Sequence, residues 1–465
     1  MHFSAHRISQ LSMAFSFSIY AFSFLMFVVA CFTIGNSQPM LNSVEQESVY
    51  RVLESLNSDV PWRSLFPDDL CSSAPHGVVC DYASVTGTLN IVELSFGYVS
   101  DFNSNPTCSP SSTLLDPLLF SSFPHLRKLF FYKCFTQQPV SLPDLSWVGS
   151  GLEELVFINN PTLSGSLSDN IGNMTSLRRL IITGTKVSGK IPVGFGELTN
   201  LEEATLSRNS FTGEIPENVS NLKKLKVLDL SQNGFSGNVP GTIGGLENLL
   251  KLDLSSNYFS GEIPETMKGL RVLEFLDLSD NRLVGGGVPL FLSEMSKLKG
   301  VYLSGNELGG VIPDIWEKLR GINGIGLSRV GLVGGIPVSM GVFLGNLSYL
   351  GLDNNKLTGG VPKEFEKLEL LCELNLNNNN LSGKVPFSVG FMGKIGGKLR
   401  LEGNSELCVD EGVINTFYKV KICNEVENPR SALVYGYGIS SSSRVGDGTC
   451  CWVLILVWVA VNLLW

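Results

Sequence analysis

Along most of this chain, short alternations of apolar and polar residues break off and return at a fixed interval. LKVLDLSQNGFSGNVP, from Leu225 to Pro240, sets apolar Leu225, Leu228 and Leu230 around polar Lys226 and Asp229. Alternation of this kind predicts a short strand with one face buried and the other exposed. Asn233 then turns the chain, Phe235 adds a second apolar anchor, and a Gly-x-Val-Pro ending closes the unit. The closing proline recurs at Pro192, Pro216, Pro240, Pro264, Pro289, Pro313, Pro337, Pro362 and Pro386, always after isoleucine or valine and always 24 or 25 residues on. Self-similarity at that period predicts a solenoid whose coils each hold a strand, a turn and a helical or irregular return, as around Val219 and Leu222. No such coil can bury its own core, so stability must come from stacking neighbours.

The turning asparagine forms a ladder: Asn160, Asn209, Asn233, Asn257, Asn281, Asn306, Asn355, Asn379 and Asn404. Its side-chain amide can donate to and accept from the backbone of adjacent coils. Thr185 and Val330 break the ladder; threonine can keep one bond and valine none. The pattern weakens but persists at LEELVFINNPTLSGSLS, with Ser168 in place of proline, and at LRKLFFYKC (Leu126 to Cys134) and IVELSF (Ile91 to Phe96). A last strand, LRLEGNSELC, runs into Cys408. These units predict eleven coils on the asparagine register after two degenerate ones, across residues 90–407. The predicted fold is an α/β solenoid, a right-handed leucine-rich-repeat horseshoe with a parallel concave β-sheet and disulfide-capped ends. Its Gly-x-Ile/Val-Pro ending resembles that of plant extracellular repeat proteins.

The two ends bear on compartment. His6 and Arg7 precede an uncharged apolar run from Leu11 to Ile34, so residues 1–37 read as a secretory signal peptide. Residues 38–89 read as an amino-terminal cap, 408–430 as a carboxyl-terminal cap and 431–449 as linker and spacer. Residues 450–465 are apolar, shorter than the roughly twenty needed to span a bilayer comfortably, and follow Ser440, Ser441 and Ser442 and a polar spacer. Small residues, spacer and short apolar tail are the layout of a glycosylphosphatidylinositol signal, with attachment at one of those serines. A short transmembrane segment is the alternative. Seven cysteines lie between the two ends. The expected pairs are Cys71–Cys80 and Cys108–Cys134 towards the amino end and Cys408–Cys423 at the carboxyl cap, although sequence alone leaves connectivity open. Cys372 is then left over as a half-buried free thiol or an intermolecular disulfide. Sequons stand at Asn173, Asn218, Asn346 and Asn380, the last beside a ladder asparagine.

Candidate chemistry is sparse. Between the terminal segments only His76 and His125 remain, too few for a histidine triad or metal cluster, and no nucleophile-elbow, zinc-protease or P-loop motif is present. Gly324 and Gly326 give a G-x-G, but at strand positions of a repeat. No catalytic residue, metal site or small-molecule cofactor is expected. The net charge of −9 argues against nucleic acid as a ligand. Asp229, Asp253 and Asp277 recur at one strand position and read as a solvated column rather than an ion site.

Recognition is another matter, because a solenoid's concave sheet offers a continuous surface. Outward positions in the central coils are expected to present Asp253, Phe275, Asp277, Asp280, Tyr302, Arg329 and Tyr349 beside the small residues Gly300, Gly324, Gly326 and Gly351. Such a surface suits a peptide or protein ligand; equally, Tyr302 and Tyr349 could only cover neighbouring strand edges.

The cap, LSFG (Leu94 to Gly97), LFFYKC (Leu129 to Cys134) and KLRLEGNSELC (Lys398 to Cys408) together resemble the plant receptor-like proteins of the TOO MANY MOUTHS and Piriformospora indica-insensitive group. LSRVGLVGGIP, where the rung asparagine is lost, is more similar to the latter branch. The resemblance implies a kinase-less protein on the outer face of the plasma membrane that signals by associating with a ligand and a receptor kinase, and the branch implies a role with a root-colonising fungus. The other reading is a wall-associated inhibitor or adhesion module of the polygalacturonase-inhibitor type, whose members end after the carboxyl cap.

Overall fold

The computed structural model describes residues 40–73, 75–83, 88–97, 106–109, 120–145, 151–410 and 420–423. The signal segment, Ser440, Ser441, Ser442 and the apolar tail lie outside the described residues. Among those described, no helix is long and apolar enough to cross a membrane.

The concave sheet has one strand per coil. Thirteen parallel strands run in chain order from Thr88–Phe96 to Leu399–Arg400, each pairing with the strands of the coils before and after. Val78–Ala83 pairs antiparallel with Thr88–Phe96 and covers the amino-terminal edge. In the central strands the middle residue is buried, as at Leu228, Leu252, Leu276, Val301 and Ile325, while its two neighbours face outward.

A second set of strands follows the asparagine turn, where the sequence reading had only a coil closure. Seven strands from Val140–Ser141 to Arg282–Val284 form one sheet, and five from Val333–Gly334 to Lys421–Ile422 form another. Isolated bridges alone span the interval between them: Val284 with Glu307, Gly287 with Val311, and Val311 with Val333. Between the two layers Phe211, Phe235 and Phe259 stack fully buried, with centroids 6.0 and 6.1 Å apart.

The repeating proline starts the return. Pro216, at φ −68°, precedes the five-residue 3₁₀ helix Glu217–Asn221, and other prolines of the ladder do the same. Proline suits this place because its ring fixes φ and its missing N–H is not needed in the first turn. The 25-residue step reaching Pro362 is absorbed in the return itself, where Val338–Phe343 is an α-helix one residue longer.

The ladder works as a hydrogen-bond relay. Asn281 Nδ2 donates to the carbonyls of Leu254 at 3.0 Å and Leu278 at 3.1 Å, and its Oδ1 accepts from Phe259 N–H at 3.0 Å. These bonds hold a strained backbone in place. The residue before the rung adopts left-handed φ at Lys133, Asn159, Arg208, Gln232, Ser256, Asp280, Arg329, Asn354 and Asn378, between 51° and 57°. Glycine takes that place at Gly184, Gly305 and Gly403 without the side-chain penalty of roughly 1 kcal/mol, which asparagine or aspartate at Asn159, Asp280, Asn354 and Asn378 lessens. Thr185 keeps part of the relay: its hydroxyl accepts from Val187 N–H at 3.1 Å and donates to Asn209 Oδ1. Val330 keeps none through its side chain. Its own N–H and that of Leu332 both donate to Asn355 Oδ1 at 3.0 Å. Cys134 stands at a rung position in the first coils, and its N–H donates to Asn160 Oδ1 at 2.8 Å.

Disulfides join Cys71 to Cys80, Cys108 to Cys134 and Cys408 to Cys423. At the amino end, helix Ser43–Leu56 is capped by Asn42, whose side chain accepts from Val44 N–H at 2.8 Å. Buried Glu45 accepts from Ile91 N–H, and the Trp62 indole donates to Asn57 O at 2.8 Å. Cys372 has a disulfide partner that lies outside the described residues.

Candidate recognition face on the concave sheet

The amino-terminal half of the concave face neutralises itself. Lys128 pairs with Glu93 at 3.0 Å, and Arg179 lies between Glu154 at 3.4 Å and Glu203 at 2.9 Å. One position earlier, Glu202 receives both Arg178 and Lys226 at 2.7 Å. Strands in register place these residues side by side, so charge alternates from coil to coil and little is left for a ligand.

From the Lys251–Asp253 strand onward the pattern changes. One outward column reads Lys251, Phe275, Gly300, Gly324, Tyr349 and Glu373; the other reads Asp253, Asp277, Tyr302, Gly326, Gly351 and Asn375. The glycines form the seats of the tyrosines. A Cβ on Gly324 would lie 2.2 Å from the Tyr302 hydroxyl, and one on Gly326 2.8 Å from its ring. Likewise, a Cβ on Gly351 would lie 2.5 Å from the Tyr349 hydroxyl. Both phenols therefore lie down along the sheet. With Phe275 they make a continuous aromatic surface, at 5.5 Å from Phe275 to Tyr302 and 6.4 Å from Tyr302 to Tyr349, within the range of favourable ring contact. Burial, with Asp277 and Tyr349 nearby, pushes the Tyr302 hydroxyl up to about 12; burial also raises that of Tyr349. Both stay neutral hydrogen-bonding groups.

The aspartate column beside this surface is not solvated, which corrects the sequence reading. The neighbouring strands and the serines two residues on close over the carboxylates. Asp229, Asp253 and Asp277 each accept from the backbone N–H and the hydroxyl of their own Ser231, Ser255 or Ser279. Lys251 then bridges two of the three, at 2.8 Å to Asp229 and 3.5 Å to Asp253, with its ammonium 5.6 Å from the Phe275 ring centroid. Asp277 has no ion pair among the described residues. Burial first, and the neighbouring Asp253 second, push its carboxyl up to about 6.

Asp253, Phe275, Asp277, Tyr302 and Tyr349 thus share one patch. Asp280 and Arg329 do not stand on strands; both occupy left-handed turn positions, at φ 52° and 55°. They meet each other over Gly305, with Arg329 Nη2 2.9 Å from Asp280 Oδ1. The pair is exposed, so it marks the rim and adds little stability. Lys251 and the seating role of the glycines were not legible in sequence, since both depend on which residues become neighbours across coils. Of the sequons, Asn173, Asn346 and Asn380 are exposed, whereas Asn218 is half-buried and donates from Nδ2 to Val193 O at 2.8 Å.

Stacked coils with a parallel concave sheet and a rung asparagine define a leucine-rich-repeat protein. Leucine-rich-repeat family models match residues 223–283, and also residues 200–222, 272–295, 297–319, 346–368 and 370–392. The chain is similar to the Arabidopsis thaliana protein TOO MANY MOUTHS, 37% identical over 148 residues, which is 32% of this chain and 29% of that protein. It is also similar to the Piriformospora indica-insensitive protein 2 of the same plant, 38% identical over 142 residues, covering 30% and 32% of the two chains. The matched stretch thus spans about a third of the length of these relatives. Among solved structures, the leucine-rich-repeat ectodomain of the Arabidopsis receptor kinase HAESA, in complex with an extended IDA peptide hormone, superposes with a TM-score of 0.62. It is 27% identical over 79% of this chain and 62% of that one. The homologues of this leucine-rich-repeat protein are plant receptor-like proteins.

Proposed function

We propose that this chain is a non-enzymatic cell-surface recognition protein that binds a peptide or protein ligand on its concave face and acts through a receptor kinase. The observation that carries the reading is the central patch, where Phe275, Tyr302 and Tyr349 lie on a glycine floor beside Asp277, which has no ion pair among the described residues. Aromatic side chains that are already ordered, with polar atoms at hand, favour protein contact because little entropy is lost when they bind. The HAESA ectodomain, a structural neighbour bound to a peptide hormone, supports the ligand class. Tethering through one of Ser440, Ser441 or Ser442 belongs to the same proposal, as does a role in plant–fungus interaction, which rests on the likeness to the Piriformospora indica-insensitive protein 2.

The test is a pull-down of the tagged protein from plant plasma membranes, comparing wild type with a Tyr302→Ala, Tyr349→Ala double variant. Recovery of a receptor kinase or secreted peptide by wild type and its loss from the variant is the expected result. Recovery of only wall enzymes or polysaccharide overturns the reading in favour of an inhibitor or adhesion module. Release from membranes by phosphatidylinositol-specific phospholipase C tests the anchor, and retention with the tail peptide intact refutes it.

A further inference from the structure

The second layer of strands stops at the coil that reaches Pro289 in 25 residues. Where the preceding coil ends in SGEIP (Ser260 to Pro264), this one reads VGGGVP from Val284 to Pro289. At the insertion no side chain fills the space beside the backbone: a Cβ on Gly286 would meet nothing within 4 Å. The bulge is nevertheless held. Gly287, at φ 116°, lies so close to Val311 that a Cβ there would be 2.8 Å from its carbonyl oxygen.

The result is a groove of about 540 Å³ between the strand layer and the 3₁₀ helices Glu265–Gly269 and Leu290–Glu294. Val288, Phe291 and Leu308 are its buried apolar lining, and Val284 and Leu290, 40% and 67% exposed, are its apolar wall. Glu262, Glu265 and Glu294 bring three carboxylates to the same groove. Among the described residues Glu265 alone of the three has a direct ion pair, with Lys268 at 3.1 Å, and that ammonium also acts on Glu294. Among the described residues, no three acidic side chains are gathered closely enough to ligate one metal ion. The groove therefore suits an elongated cation with an apolar stem, the shape of an arginine or lysine side chain.

We propose that this groove docks a basic segment of a protein partner, with the stem of an arginine or lysine over Val284 and Leu290 and its cation among Glu262, Glu265 and Glu294. The groove shares no lining residue with the concave patch, so the docking is independent of what the concave face binds.

The test uses the full chain and a synthetic acetyl-Gly-Leu-Arg-Leu-Arg-Leu-Gly-amide peptide carrying a benzophenone, with a twin in which citrulline replaces both arginines. Photolysis followed by mass spectrometry should place cross-links on residues 284–294, and the citrulline peptide should lose at least about tenfold of that yield. Gly286→Leu fills the groove at a position with room for a side chain, and Glu262→Gln with Glu294→Gln removes its charge. Each should lower labelling by a similar factor, while Tyr302→Ala leaves it unchanged. Equal labelling by the citrulline peptide overturns the proposal, as does labelling that Gly286→Leu leaves intact or that falls mainly on the concave face.

Discussion

Replacing Asn281 by valine would copy at a regular rung what the chain already has at Val330. The change deletes the acceptor of Phe259 N–H, at 3.0 Å, and leaves that buried donor unpaired. An orphaned buried donor costs about 1–3 kcal/mol. Two donated bonds to Leu254 and Leu278 also vanish, at about 1 kcal/mol each. Neither carbonyl is orphaned, because Leu254 still accepts from Asn257 and Leu278 from Asn306. Burying valine methyls offsets roughly 1–2 kcal/mol. The net loss is about 1–4 kcal/mol. In a stacked array such a loss is felt locally, so hydrogen exchange is a sharper assay than a global melt. Amides around Phe259 should exchange on the order of 5- to 1000-fold faster than in wild type. Val330→Asn is the converse. It gives Leu308 N–H the kind of acceptor that Phe259 has in Asn281, and it should slow exchange around Leu308 for a gain of about 1–2 kcal/mol. Unchanged protection at Phe259 in Asn281→Val would refute the claim that the rung amide, rather than apolar packing alone, holds the turn.

Three further outcomes are open to measurement. Asp277 is raised to about 6 in the folded state, above its unfolded value, so its contribution is fully present below about pH 4 and is lost as pH rises through about 6; the melting temperature should climb as pH falls from 7 to 5, and Asp277→Asn should flatten that climb. Gly324→Ala sets a methyl against the Tyr302 hydroxyl and should lift that ring from its seat, seen as faster nitration of Tyr302 by tetranitromethane with the melting temperature nearly unchanged; nitration at the wild-type rate would sink the seating argument. Glycopeptide mapping should find Asn173, Asn346 and Asn380 modified and Asn218 bare, because Asn218 is half-buried with its Oδ1 shut away from solvent, whereas Asn346, whose amide likewise donates to a carbonyl (Arg320 O, 3.2 Å), is exposed; full occupancy at Asn218 would contradict this.

Much of the architecture was legible in the chain because its period is local. The interval between prolines, the alternation in L-x-L and the recurring asparagine each act within one coil or between adjacent ones, so strand, turn and return could be placed by pattern. The same logic brought Phe275, Tyr302 and Tyr349 to one face. It failed for Asp280 and Arg329, which sit beside strand residues in sequence but take left-handed turns. It failed again for the aspartates, where the pattern L-D-L-S does not reveal that serine and the next strand close over the carboxylate. Cys372 could not be assigned because pairing is set by distance in space.

By itself the sequence determined the solenoid, its register and the coils where the rhythm breaks, since a repeated pattern fixes which residues each strand buries. Tertiary structure decided what those breaks do. Stacking sets residues about 24 positions apart against one another, and only then do Gly324, Gly326 and Gly351 become seats for tyrosines, Lys251 become the bridge between Asp229 and Asp253, and an extra glycine before Pro289 become a groove. Side chains acquire these roles from neighbours that lie one coil away, and no local pattern contains both partners at once.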